Sequence, residues 1–367
     1  MQGLWFDARY VNPAHPDGIT RFSLELIRAL CEITELTVIV DRPEKKSSLP
    51  EHPNLKVVEV NPLISLRELT LARKLNAMGC KVFFSPMQTT LMLGRKFKLV
   101  STLHDLIYYR HRNPPSQFNF AIRIIWVLYH LSYWPQRWML NRADAVATVS
   151  ETTEEQMLEA RLTKRPIRVI HNAALWPDRN GSQKRHSSRT LIYMGSFIDY
   201  KNVETLIRGM TELPDHELLM LSRISDERKE ELIQLAIEMN ATVKFLGGVT
   251  DQQYEELLFS AKALVTASLD EGFGIPVVEA MSHGCPVVVS DIAIFEEVAG
   301  PAGLRFSPKD PTEFAAQVRR LDDPQVWQLQ SKLGVDQAKF FTWDDSAELL
   351  LELAEDLVSE WPGSPGI

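Results

Sequence analysis

The chain has little cysteine. Its three thiols, Cys31, Cys80 and Cys285, are far apart and lie in apolar surroundings. An odd count without paired spacing fits reduced, buried thiols of a cytoplasmic protein better than a disulfide or zinc framework. It also lacks a basic excess: a net charge of -8 and a pI near 5.7 argue against nucleic acid as a partner, which a basic footprint would attract. No secretory leader is visible, because "MQGLWFDARYV" has no basic region ahead of it and reads as a strand. There is no repeat of solenoid length.

A long hydrophobic run is missing too. The nearest is "FNFAIRIIWVLYHLSYWPQRWML" (118–140), which Arg123, His130, Pro135 and Arg137 interrupt, so no charge-free span of membrane length survives. A helix apolar on all sides is usually core, and a buried helix of the first domain is the expectation. Trp, Tyr and Arg mixed in this way also suit a helix lying on a bilayer surface.

What is present is alternation. "LWFDARYV", "LTVIVD", "LKVVEV", "CKVFFSP", "KLVSTLHD" and "DAVATVS" are short, rich in Val, Ile or Phe, and separated by helix-length segments. Such spacing predicts a parallel sheet covered by helices, and the near-continuous apolar strands agree. Residues 172–190 turn polar and aperiodic, as a linker does. The alternation then restarts with "TLIYMGSF", "ELLMLSRI", "TVKFLGG", "ALVTAS" and "PVVVSD". The expected fold is therefore α/β, two tandem doubly wound, Rossmann-like domains facing a cleft. The expected bounds are 1–175 and 176–343, with an amphipathic helix at 344–361 packing back on the first domain. Ligands of such sheets collect beyond the carboxyl ends of the strands.

One post-strand loop stands out: "SLDEGFGIPVVEAMSHGCPVVVSD" (268–291). Pro276 sits where helices begin, and Gly284 where they stop. This reading puts Glu279 in the first helical turn and Glu271 in the loop before it. Gly272 and Gly274 allow backbone amides close to a ligand, and the helix start favours an anion or a polyhydroxylated group. On spacing alone, Glu279 as a favourable helix-start acid and Glu271 as a solvated loop residue fit equally well.

The same stretch resembles the E-x7-E region of retaining glycosyltransferases of family 4, which have the two-domain GT-B fold. The resemblance extends over most of the chain, through "DGITRFSLELIRAL", "TLHDLIYY", "ADAVATVSETTEEQM", "YMGSFIDYKNVETLI" and "FTWDDSAELLLELAEDL". It implies a nucleotide-sugar donor on the second domain. Lys201 would pair with the diphosphate, and Gly272, Phe273, Gly274 and Ile275 would hold sugar hydroxyls. Glu271 would serve the sugar's anomeric centre, and Glu279 the ribose. Gly18 would bring the first-domain loop to the diphosphate, and His104 would bond a donor hydroxyl near the reacting carbon. A lone histidine at a strand end is otherwise a structural residue satisfied by the backbone. His171, where the family often has proline, is read as having no chemical role.

One departure stands out. Where the family often carries a diphosphate-binding arginine, this chain has Ser196 and Tyr200. Arg223 in "LSRI" is the candidate replacement. The implied reaction is transfer of a hexose, GDP-mannose being the first-choice donor, by front-face retention. The leaving diphosphate then needs charge stabilisation more than protonation. No D-x-D metal motif is present, and neither a metal nor another cofactor is expected. The implied acceptor is a glycan or glycolipid at the cytoplasmic face of a membrane, which segment 118–142 would contact. A dehydrogenase is excluded because neither half has G-x-G-x-x-G after its first strand. A sugar-nucleotide binder of the same fold without turnover is the alternative.

Overall fold

The structure, a computed structural model, describes residues 2–14, 17–90, 92–113, 120–175 and 187–359. It divides into two compact units, Met1–Asn172 with Thr342–Ile367, and Ala173–Phe341. Residues 176–186 of the polar 172–190 stretch lie outside the described residues.

In the first unit, strands β1 (Leu4–Asp7), β2 (Leu36–Val40), β3 (Leu55–Glu59), β4 (Val82–Ser85), β5 (Lys98–Leu103), β6 (Ala145–Thr148) and β7 (Ile167–Val169) form one sheet. Every pairing is parallel, in the order β3-β2-β1-β4-β5-β6-β7. β1, β4 and β6 are buried along their whole length, which is why they read as unbroken apolar runs. "LWFDARYV" is not one strand. Asp7 accepts a hydrogen bond from the Arg9 amide and turns Ala8–Tyr10 into a 3₁₀ turn, while the Arg9 side chain closes on Asp7 and Glu68.

The second unit repeats the plan with β8 (Thr190–Tyr193), β9 (Glu217–Met220), β10 (Val243–Phe245), β11 (Ala263–Thr266), β12 (Val287–Ser290) and β13 (Gly303–Phe306). These are parallel in the order β10-β9-β8-β11-β12-β13. β7 and β13 escape a sequence reading because they are short, partly exposed edge strands whose apolar pattern is broken by Arg168 and Arg305. The helix Trp343–Ser359 belongs to the first unit. It packs on the helix Gly18–Ile33, with Phe22 against Trp343 and the Ser346 hydroxyl donating to the His171 carbonyl.

Segment 118–140 corrects the expectation of a buried helix. Residues 118 and 119 lie outside the described residues; the rest holds helices Phe120–His130 and Trp134–Leu140, joined by residues 131–133. One face packs: Trp126 and His130 meet Tyr108, and Tyr109 meets His130 and Tyr133. The other face is exposed, at Phe120, Ile124, Ile125 and Leu128. A helix apolar all round buries only the sides that have a neighbour. Among the described residues no helix is long and apolar enough to cross a membrane.

All three cysteines are buried, and none of them is in a disulfide. Burial raises the Cys31 thiol to about 11, so it stays protonated at neutral pH.

At the amino edge of the second sheet, Asp322 pairs with both Arg189 and Lys262, each at 2.5 Å. His216 is buried beside them, with Nε2 3.5 Å from the Arg189 guanidinium. Burial and then the Lys262 charge push its pKa down to about 4. An unfolded histidine titrates near ~6.5, so the unfolded chain binds the extra proton first as pH falls. This contribution to stability is complete above that value and is lost as pH falls toward about 4. Chemical denaturation of His216→Asn should therefore show a shallower acid-side loss of stability than the parent chain, and parallel curves would refute the coupling.

Candidate functional site

In the second unit the strand order reverses between β8 and β11. The loops leaving these neighbours run out on the same carboxyl edge, where open α/β sheets bind ligands. The β8 loop runs through Gly195, Ser196 and Lys201 to the helix Val203–Gly209; the β11 loop runs through Ser268 and Glu271 to the helix Ile275–Ser282.

The two loops are sewn together. The Leu269 amide donates to the Tyr200 carbonyl at 2.7 Å. Asn202 adds two bonds, its Nδ2 donating to the Ala267 carbonyl at 3.0 Å and the Pro308 carbonyl at 2.6 Å, while its Oδ1 accepts from the Thr205 hydroxyl. Asn202 adopts the left-handed conformation, φ 51°, which asparagine tolerates better than most residues. Sequence reasoning missed it, although an asparagine directly before a helical run is the available signal.

This sewing brings Lys201 and Glu271 together across seventy residues. Lys201 Nζ lies 2.5 Å from Glu271 Oε1, with side chains 15% and 13% exposed. Glu271 is thus no solvated loop acid. The same oxygen accepts from the Ser268 hydroxyl at 2.8 Å, and Ser268 is itself held by Thr266 and by Ser290, whose hydroxyl donates to the Ser268 carbonyl. These hydroxyls at the ends of β11 and β12 were not singled out from sequence. They fix the carboxylate from below and leave its other oxygen as an acceptor.

The helix after the loop opens at Ile275, not at Pro276, because Gly274 is its N-cap in the left-handed region at φ 95°. A Cβ on Gly274 would come 2.8 Å from the Phe295 ring, so no other residue fits there without movement. Phe273 is buried and packs edge-on against Phe341. Glu279 therefore corrects the first-turn reading. It is the fifth helical residue, one position past the first turn, and is fully buried. Gly284 ends the helix as expected, at φ 63°.

Ser196 is exposed, and its carbonyl accepts from the buried Tyr193 hydroxyl at 2.6 Å. That hydroxyl fills the space where a Gly195 side chain would stand, at 2.7 Å. Burial, then the Glu271 charge, raise the Tyr193 pKa well above the usual phenol value, so it remains a donor. Arg223 lies at the carboxyl end of β9, exposed, with its side chain along Gly248. Arg228 also approaches this loop, donating to the Phe197 carbonyl, but Glu204 and Glu231 neutralise it.

Gly18 and His104 belong to the first unit: Gly18 lies on the loop after β1, at the order reversal between β1 and β4, and His104 on the loop after β5, the strand next to β4. Gly18 is the exposed first residue of its helix, capped by Asp17, which accepts from the Thr20 amide. Residues 15 and 16 of that loop lie outside the described residues. His104 ends β5 with Nε2 2.8 Å from the Pro86 carbonyl and its ring edge-on to Phe22. A carbonyl can only accept, so Nε2 carries the hydrogen. Burial lowers the His104 pKa, which keeps the ring neutral and leaves Nδ1 as a bare acceptor. The backbone bond of a structural histidine and a free ring nitrogen coexist in one side chain. The His171 carbonyl receives the Ser346 hydroxyl.

Among the described residues no group of three or more His, Cys, Asp or Glu side chains is placed to hold a metal ion.

Comparison with known proteins covers both units. The family described as Glycosyltransferase Family 4 matches residues 16–174, and the one described as Glycosyl transferases group 1 matches residues 176–334. The O-antigen chain mannosyltransferase RfbU of Salmonella typhimurium is 26% identical over 318 residues, 83% of this chain and 87% of that protein. The O-antigen chain mannosyltransferase B of Escherichia coli is 32% identical over 42% of each chain. Among solved structures, sucrose-phosphate synthase of Thermosynechococcus elongatus superposes with a TM-score of 0.77 at 20% identity, covering 98% of this chain and 99% of that one. HepE of Anabaena, in complex with UDP and glucose, gives 0.69 at 19% identity over 96% and 99%. These two establish the fold as GT-B.

Asn202→Ala removes two clips and leaves a β-carbon in a left-handed position with no compensating bond. It should lower unfolding free energy by about 2–3 kcal/mol, at roughly 1 kcal/mol per hydrogen bond and a similar backbone cost. Asn202→Gly should recover the backbone part, about 1 kcal/mol. Denaturant titration of the three proteins checks the order; an Ala variant as stable as the parent would remove Asn202 from this role.

Proposed function

We propose that this chain, which belongs to the family 4 glycosyltransferases of the GT-B fold, transfers a hexose, mannose in the first instance, from a nucleoside diphosphate sugar to a hydroxyl of a glycan or lipid-linked glycan. The observation that carries this reading is the Lys201–Glu271 pair at the strand-order reversal of the second unit. The mannosyltransferase relatives support mannose and a cell-envelope acceptor, and GDP is the nucleotide carrier chosen here for mannose. The solved HepE complexes with UDP and with UDP-glucose make UDP the competing choice.

In this reading the diphosphate takes Lys201 as its counter-ion and so releases Glu271 from it. The freed carboxylate, still held by Ser268, faces the positive charge that grows on the anomeric carbon as the bond to the diphosphate breaks. Ile275 opens a helix whose amides, with Arg223 and the backbone of Gly272, Phe273 and Gly274, receive the departing negative charge. The acceptor oxygen bonds to the same face of that carbon, and its proton passes to a phosphate oxygen of the leaving group. No side chain is needed as proton donor, and the chemistry requires no metal. Glu279 orders the ribose from inside the helix, while His104 of the first unit keeps Nδ1 open to accept from a hydroxyl. The reaction takes place at the cytoplasmic face of a membrane that presents the acceptor.

Thermal melts with GDP, UDP and ADP, each with and without magnesium, test the donor. A nucleotide at ~100 times its dissociation constant adds about 2.7 kcal/mol. One nucleotide should shift the transition, equally with and without magnesium. No shift with any would overturn the nucleotide-sugar reading and favour another ligand. Glu271→Gln keeps the bond from Ser268 but removes the charge that competes for Lys201. Nucleotide affinity should rise about threefold to tenfold, a gain of the size expected for one partly exposed ion pair, while transfer falls. An equal loss of both would mean that Glu271 only supports the loop.

A further inference from the structure

The first unit carries a surface that the transfer chemistry leaves unused. Between Asp105 and Asp144 there is no acidic residue, yet the interval holds Arg110, Arg112, Arg123, Arg137 and Arg142, in a chain whose net charge is -8. From this interval project the helices Phe120–His130 and Trp134–Leu140, and their outer side is apolar. Phe120 is 80% exposed, Ile125 66%, Leu128 60%, Leu131 55% and Trp134 68%. Eight large apolar side chains stand exposed between 120 and 138, far denser than the single apolar residues a soluble surface tolerates.

The inner side explains why the outer one stays fixed. Trp126, Tyr129, His130 and Tyr133 recur at helical spacing and pack among themselves and against Tyr108 and Tyr109. The aromatic stripe anchors the helix, and the aliphatic stripe is what it presents. Cations rim it. Arg123 is exposed within the first helix, and Arg142 lies over the Trp138 ring at 4.4 Å. Arg137 donates to the carbonyls of Ala160 and Arg161, and Arg165 to that of Asn141. These bonds bring the exposed Arg161, Lys164 and Arg165 beside the second helix. Exposed aliphatics with interfacial tryptophans and a rim of arginine match a bilayer whose surface is anionic: acyl chains take the former, lipid phosphates the latter. A protein partner would have to supply an equally dense acidic rim, and a second copy of this chain would oppose arginine to arginine.

We propose that the outer face of helices 120–130 and 134–140 docks this protein on an anionic phospholipid surface. The docking is peripheral, with the side chains reaching the acyl boundary and the arginines at the headgroups. It deepens the preceding reading by giving a lipid-linked acceptor a place to be met, but its evidence lies wholly in the first unit and does not depend on the donor chemistry.

Flotation of the full chain with vesicles of phosphatidylglycerol and phosphatidylethanolamine, against vesicles of phosphatidylcholine alone, tests it. Binding should favour the anionic vesicles about tenfold or more and weaken as salt is raised. Ile125→Glu/Leu128→Glu should reduce binding about tenfold or more, and Arg123→Glu should remove part of the anionic preference. Nucleotide binding by each variant, read in the same thermal melts, should stay at the parent value; this separates failure of docking from failure of the donor reading and from misfolding. Equal binding to both vesicle types, no binding to either, or a dimer that Ile125→Glu/Leu128→Glu converts to monomer would overturn the proposal.

Discussion

Two loops that leave neighbouring parallel strands are not held together by the sheet, because the ladder ends where they begin. In the second unit that gap is closed by Asn202 and by one backbone bond between Leu269 and Tyr200. Everything proposed for the site depends on this closure. It sets Lys201 at hydrogen-bond distance from Glu271, and it requires one residue to hold a left-handed conformation while its amide reaches two carbonyls on separate loops.

The ion pair so formed is only partly exposed, which decides its use. A fully exposed pair would contribute little and compete weakly with a ligand. A deeply buried one would be costly to open. At this intermediate depth, with Ser268 retaining the carboxylate when the lysine leaves, the pair can exchange one anion for another without disordering the loop. The positive φ of Gly274 and the contact with Phe295 then aim the following helix at the same place.

Charge is segregated elsewhere as well. The acid-free interval of the first unit and the Asp322 cluster at the amino edge of the second sheet are opposite solutions. In the cluster, one carboxylate neutralises two cations inside the protein, at the expense of the basicity of His216. In the acid-free interval Arg112 and Arg137 donate to backbone carbonyls and Arg142 lies over an aromatic ring, and no acidic residue stands within the interval itself.

The alternation of apolar runs with helix-length segments was enough to determine two parallel sheets, since strands buried on both faces admit few polar residues. The Gly-Phe-Gly-Ile-Pro stretch likewise determined a loop turning into a helix, because Gly274 and Gly284 hold conformations that other residues disfavour. Local patterns carry local information. Sequence could not decide that Glu279 lies past the first turn of its helix, since the helix start depends on how Gly274 packs against Phe295. Nor could it pair Lys201 with Glu271, because seventy residues separate them and only the order of β8 and β11 makes them neighbours. Segment 118–140 shows the same limit from the other side: its composition is apolar whichever way it packs. Only the presence of Tyr108 and Tyr109 on one side, and of no neighbour among the described residues on the other, decided which side chains face outward.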